Sequence, residues 1–166
     1  RTPCLTLDSG LMANVLGGGA AVLKLECFQH TGTFKARGAL SVARGLDAAQ
    51  RARGITAASA GNHAIAAAWA ARQVSASAKV VIQSNANPFR VAMAKAQGAE
   101  VIMKAPGAET FAEADRLVRD EGRYFIHPFE GPLTSLGTAG VGLELMEDAP
   151  DLDAVVVSIG GGGLIS

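Results

Sequence analysis

Cysteine is scarce in this chain: Cys4 and Cys27 form no CxxC pair, and two thiols make no disulfide framework. An excess of one charge is missing as well. Lys+Arg and Asp+Glu each number 15, and no basic cluster of the kind that neutralises nucleic-acid phosphates stands out. The longest unbroken apolar run, Ala64 to Ala71, falls far short of the roughly 18–20 residues a membrane span needs. His30, His63 and His127 stand in no i,i+4 or ligand-like pairing, which argues against a zinc site. No apolar segment follows Arg1-Thr2-Pro3-Cys4, so no signal peptide is legible. These absences leave a soluble, reducing, cytoplasmic setting, with neither nucleic acid nor membrane as a partner.

What is present alternates. Short β-branched runs at Val22–Glu26, Ile55–Ala58, Lys79–Gln83, Glu100–Met103, Tyr124–Ile126 and Ala154–Ser158 read as strands. Between them, helices are predicted over Phe34–Leu46, His63–Gln73, Pro88–Gln97, Ala108–Glu121 and Thr134–Glu147. Phe111, Ala114, Leu117 and Val118 recur at three- and four-residue spacing, the mark of one apolar helix face. Pro88 suits a first helical turn, Gly98 a helix end, and Gly17-Gly18-Gly19 a loose turn before a strand. Such β-α alternation predicts an α/β fold with a mostly parallel sheet. The start lacks Met, and the apolar run after Asp153 meets four glycines just as a helix should open. The chain therefore reads as an internal piece of a longer protein, cut on its C-terminal side.

Three segments carry chemistry. Lys35 sits in Gln29-His30-Thr31-Gly32-Thr33-Phe34-Lys35-Ala36-Arg37-Gly38, where a turn runs into a helix beside the apolar wall of Phe34. A lysine amine is a nucleophile only when neutral, which burial or a Schiff base achieves. Taken alone, Lys35 reads first as a solvated helix lysine next to Arg37. Ser59-Ala60-Gly61-Asn62-His63 joins a strand to a helix, and free N–H groups at a helix start favour an anion such as a carboxylate. Alone it is a capped turn. Gly160-Gly161-Gly162-Gly163 can converge several N–H groups on one phosphate. Neither glycine register satisfies G-x-G-x-x-G/A, since the third position falls on Ile165 or Ser166, so a nicotinamide-dependent Rossmann enzyme is disfavoured.

Taken in order, Leu23-Lys24-Leu25-Glu26, Lys35-Ala36-Arg37-Gly38-Ala39, Ser59–Ala64, His127-Pro128-Phe129, Gly137-Thr138 with Gly142-Leu143-Glu144, and Gly160–Leu164 span almost the whole chain. This series resembles fold-type II pyridoxal 5′-phosphate (PLP) enzymes, specifically the threonine/serine dehydratase and serine racemase branch. The resemblance implies a two-lobed, open parallel-sheet architecture like that of the tryptophan synthase β-subunit. Residues 1–49 and 136–166 would belong to a large lobe and residues 50–135 to a small one. It further implies that Lys35 links covalently to PLP beside Phe34, and that Asn62 meets the ring hydroxyl. Gly160, Gly161, Gly162, Gly163 and Leu164 would hold the phosphate, while Ser59, Ala60, Gly61 and His63 would form the substrate carboxylate loop. Where the family continues with Gln-Gly, this chain has Ile65-Ala66, a departure one turn inside the helix. Members often form homo-oligomers, dimers or tetramers.

Within that branch, Thr33-Phe34-Lys35-Ala36-Arg37 is the dehydratase-like form. Serine racemases place at Ala60 a serine, whose hydroxyl reprotonates the opposite face of the carbanion, and tend to have Asn at Phe129. Both differences favour β-elimination of a hydroxy amino acid, such as threonine or serine, to a 2-oxo acid and ammonia. The alternatives are serine racemisation, dehydration of hydroxyaspartate or a hydroxyectoine-derived amino acid, or a non-catalytic PLP-binding fragment.

Overall fold

The computed structural model describes residues 1–7 and 10–166. An antiparallel hairpin opens the chain: β1 (Cys4–Leu7) pairs with β2 (Ala21–Lys24), with α1 (Gly10–Val15) and the Gly17–Gly19 turn between them. Two 3-10 turns, Glu26–Phe28 and His30–Gly32, lead into α2 (Lys35–Gly45), which is followed by α3 (Ala48–Arg53). Then the alternation begins: β3 (Ile55–Ser59), α4 (Asn62–Gln73), β4 (Ala78–Gln83), α5 (Pro88–Ala96), β5 (Glu100–Lys104), α6 (Ala108–Glu121) and β6 (Tyr124–Phe125). The last helix is α7 (Pro132–Asp148).

The four later strands form one parallel sheet in the order β5-β4-β3-β6. Side chains alternate across it with the period of two that a strand imposes. Ile55, Ala57, Val80 and Ile82 pack on one face among residues of α2 and α4, and Ala58 and Val81 pack on the other against Ala114 and Leu117 of α6. Both faces are thus covered, which is why β3 reads as a continuous run of small and β-branched residues. Helix α4 is nearly all alanine on its buried side, so it can lie close to both the sheet and α2. The contact between α2 and α7 is tighter still. A Cβ at Gly137 would meet the Arg37 carbonyl oxygen at 2.6 Å, and one at Gly38 would meet the Thr134 carbonyl at 3.0 Å.

The α/β expectation with a parallel sheet holds, and five of the six strands and all five helices lie where the pattern put them, within a residue or two at their ends. Three corrections follow. The strand expected over Val22–Glu26 stops at Lys24, because Glu26 turns into a 3-10 turn and its carboxylate goes to Arg37. Residues Ala154–Ser158 form no strand: a ladder needs a neighbour, no described strand lies beside them, and Val156 is fully exposed. The elements β1, α1 and α3 were not anticipated; α3 is marked by a capping box between Asp47 and Gln50. Gly98 follows the end of α5 with φ +88°, as a helix stop requires.

Candidate active site

The strand order dictates where a ligand can sit. From β3 the chain steps outward to β4 and β5, then crosses back to lay β6 against the opposite side of β3. Open parallel sheets bind ligands outside the carboxyl ends of their strands where the order reverses. Here that point lies between Ser59, which ends β3, and Ile126–Glu130, which leave β6.

Lys35 reaches this point from α2. Thr31 (φ 64°) and Gly32 (φ 74°) both take the left-handed conformation, which turns the chain sharply into the helix and sets Lys35 in its first turn. The Lys35 Nζ donates to the Pro128 carbonyl oxygen and stands 4.8 Å from the Phe34 ring centroid. No carboxylate pairs with it among the described residues. Burial without a counter-charge pushes its pKa below the ordinary lysine value, toward the neutral amine that nucleophilic work needs. Beside it, the hydroxyls of Thr31 and Thr33 are buried with no hydrogen-bond partner among the described residues.

The second element is the β3–α4 turn. Ser59 Oγ accepts from the Gly61 N–H at 3.0 Å, which folds the turn back on itself. Asn62 opens α4, and the Ile65 N–H closes the first helical bond on the Gly61 carbonyl. The N–H groups of Asn62, His63 and Ala64 therefore have no acceptor inside the helix. His63 Nε2 lies 2.8 Å from the Ile126 carbonyl oxygen, so that nitrogen carries the proton. The ring is 5% exposed, and burial pushes its pKa down to about 4. His63 is a neutral post between α4 and the exit of β6. Ala60 stands exposed at the tip of the turn.

The third element is the tetraglycine turn. A Cβ at Gly161 would lie 2.6 Å from Phe129 Cγ, and one at Gly163 would lie 2.7 Å from Phe129 Cβ. Only glycine lets Phe129 press so close. Gly162 takes φ +87°, and its carbonyl accepts from the Ile165 and Ser166 N–H groups at 3.1 Å each. The N–H groups of Gly160 to Leu164 donate to no protein acceptor among the described residues. They are free to bind an anion.

All three elements therefore meet on one five-residue segment. His63 holds Ile126, Lys35 holds Pro128, and Gly161 with Gly163 enclose Phe129. His127 braces the segment internally, 4.6 Å edge-on to the Phe129 ring, and its Nδ1 accepts from the Glu130 N–H at 2.9 Å. In the sequence His127-Pro128-Phe129 is legible as a motif but not as the common anchor. A proline three residues past the end of β6 is the available signal. Also unforeseen was the stacking of His30 on Trp69, with ring centroids 4.7 Å apart, which ties the lysine turn to α4.

A buried lysine without a counter-charge and bare glycine amides thus lie together at the sheet's switch point. Comparison with known proteins shows the family. The family profile described as "Pyridoxal-phosphate dependent enzyme" matches residues 1–166, and the chain belongs to that family. It is 50% identical over 149 residues to a phenylserine dehydratase from Ralstonia pickettii, covering 90% of this chain and 46% of the relative. It is 42% identical over 150 residues to an L-threonine ammonia-lyase from Thermotoga maritima, covering 90% and 37% respectively. Among solved structures, maize serine racemase superposes with a TM-score of 0.93 at 36% identity, over 99% of this chain and 50% of that one. Threonine deaminase isoform 2 from Solanum lycopersicum gives 0.89 at 29% identity, over 99% and 47%. The chain thus spans less than half the length of these two curated relatives.

Proposed function

We propose that the protein of which this chain is part is a PLP-dependent ammonia-lyase. It would convert a β-hydroxy amino acid, such as threonine or serine, to a 2-oxo acid and ammonia. The observation that carries this reading is that Lys35 and the tetraglycine turn grip consecutive residues, Pro128 and Phe129. The residues fit the cofactor: a buried amine without a counter-charge, orphaned Thr31 and Thr33 hydroxyls, and glycine amides with no protein acceptor. Bound there, PLP supplies an aldehyde for covalent capture of amines and a ring that accepts an electron pair from the substrate carbon.

The chain's own residues do the rest. Lys35, beside Phe34, holds the cofactor and then, as a free amine, takes the proton from the substrate Cα. Asn62 would meet the cofactor's ring hydroxyl, and the amides of Gly160, Gly161, Gly162, Gly163 and Leu164 its phosphate. The turn of Ser59, Ala60, Gly61 and His63 binds the substrate carboxylate through N–H groups. Buried and neutral, His63 fixes that turn to the β6 exit and carries no charge that would compete with Lys35. At Ala60 the turn presents a methyl group, which has no proton to deliver to the opposite face of a carbanion. Elimination is thereby favoured over racemisation.

The large lobe would comprise residues 1–49 and 136–166 and the small lobe residues 50–135. In support, every strand of the parallel sheet lies between Ile55 and Phe125. A reducing, cytoplasmic location accords with two free thiols, and among the described residues no helix is long and apolar enough to cross a membrane. Homo-oligomerisation accords with the family. To test the reading, the whole protein is reduced with borohydride and its peptides are mapped, while ammonia release is followed across a panel of hydroxy amino acids. Label on Lys35 together with 2-oxo acid formation is expected. Label elsewhere, or none, defeats it.

A further inference from the structure

Arg90, in the first turn of α5, lies against the β3–α4 turn from the side of the neighbouring strand's exit. A Cβ placed on Gly61 would overlap the Arg90 Cδ and stand 3.0 Å from its Nη1 and 3.2 Å from its Nε. Gly61 has φ 159° and ψ −84°, a backbone conformation that side chains rarely adopt, and the Arg90 arm occupies the space that its missing Cβ leaves. That arm makes no ion pair and no side-chain hydrogen bond among the described residues. Arg37, Arg116 and Arg123 are held by carboxylates; Arg44 and Arg72 are unpaired like Arg90 among the described residues, but only Arg90 lies on the β3–α4 turn. Arg90 is exposed, its stem rests on buried Gly61, and its fork, with no protein anion of its own among the described residues, is free for an external one.

We propose that Arg90 is a substrate-binding residue, whose guanidinium adds full positive charge beside the amides of Ser59–His63 and draws in the α-carboxylate of the hydroxy amino acid. This rests on the carboxylate role given to that turn above. Backbone amides alone offer partial charges, and a guanidinium raises both the affinity for a carboxylate and its dependence on salt. The contribution belongs to ground state and transition state alike, because the carboxylate is not altered by the reaction. Its loss should therefore appear in KM more than in kcat.

The experiment uses the whole holoenzyme, with the hydroxy amino acid that wild type turns over fastest. Arg90→Gln keeps the aliphatic stem on Gly61 and removes only the charge; Arg90→Lys keeps the charge. In Arg90→Gln, KM should rise about tenfold, the scale of one charge-assisted hydrogen bond, while kcat changes far less. Lysine should recover part of that loss. Added sodium chloride should raise the wild-type KM and leave that of Arg90→Gln nearly flat. The cofactor absorbance and melting temperature should match wild type in both variants. An unchanged KM, a fall confined to kcat, or a loss seen only with substrates carrying a second carboxylate overturns the assignment. Wild-type enzyme that turns over no hydroxy amino acid instead overturns the underlying reading of the site, an outcome distinct from these.

Discussion

Two cations two residues apart on α2 have opposite fates. Arg37 is nearly buried between two carboxylates: Glu26 accepts from its Nε and Nη2, each at 2.8 Å, and Glu144 of α7 accepts from Nη1 at 2.7 Å and Nη2 at 2.8 Å. Lys24 extends the network, 2.9 Å from Glu144 and 3.1 Å from Asp148. The hydrogen bonds to Glu144 and Glu26 hold Arg37 firmly protonated, and those from Arg37 and Lys24 hold Glu144 far below the usual carboxylate range. Lys35, by contrast, has one carbonyl and one aromatic ring for company, and burial pushes its pKa down. The same helix turn therefore carries one charge fully compensated by carboxylates and one left without a counter-charge. The first anchors α2 to β2, α7 and the start of the chain, so that the second can be held in place without a counter-ion of its own.

That contrast can be broken from either side. Replacing Arg37 with Met should destabilise the protein by about 3 kcal/mol, because Glu26 would be left nearly buried with no cation and Glu144 with Lys24 alone. Urea denaturation measures it, and a loss near zero would show that the network is ornamental. A pH series separates the carboxylate network from His63. His63 has a folded pKa of about 4, below its ordinary 6.5, so it holds fewer protons when folded than when unfolded. Its contribution is thus fully present above about pH 6.5 and is lost as pH falls toward 4, by roughly 3 kcal/mol in all. The lowered carboxylates begin to cost stability only below their own ordinary range, near 4.5. Unfolding free energies measured between pH 7 and pH 5 should fall in wild type and stay nearly level in His63→Gln.

Smaller effects sharpen the same comparison. Gly137→Ala would force apart α2 and α7 where their backbones touch, costing about 1–3 kcal/mol, visible as a lower melting temperature. Lys35→Met removes an uncompensated charge and should leave the apoprotein as stable as wild type or about 1 kcal/mol more so, with ammonia release abolished. A clear destabilisation would mean that Lys35 is a structural residue after all.

Much of the fold was legible because its signals are local. The continuous small and β-branched runs of Ile55–Ser59 and Ala78–Gln83, the apolar face of α6, Pro88 at a helix start and Gly98 beyond its end each act within a few residues. The hairpin strand β1 escaped notice because a four-residue strand has almost no pattern of its own and exists through pairing with β2. Ala154–Ser158 failed for the converse reason, a strand-like sequence with no partner beside it. In the site, Lys35, Asn62 and the four glycines stood out by residue type and order. Pro128 as anchor, Arg90 against Gly61, and His30 stacked on Trp69 did not.

By itself, then, the order of residues determined the periodicities, the helix stops, and where a glycine or lysine must occur, since those follow from backbone sterics and side-chain chemistry over a few positions. Only the tertiary structure decided that residues 35, 63, 161 and 163 close on the segment 126–130, and that one α2 cation is neutralised while another is not. Distances through space and the removal of water set those outcomes, and neither is a property of any single stretch of chain.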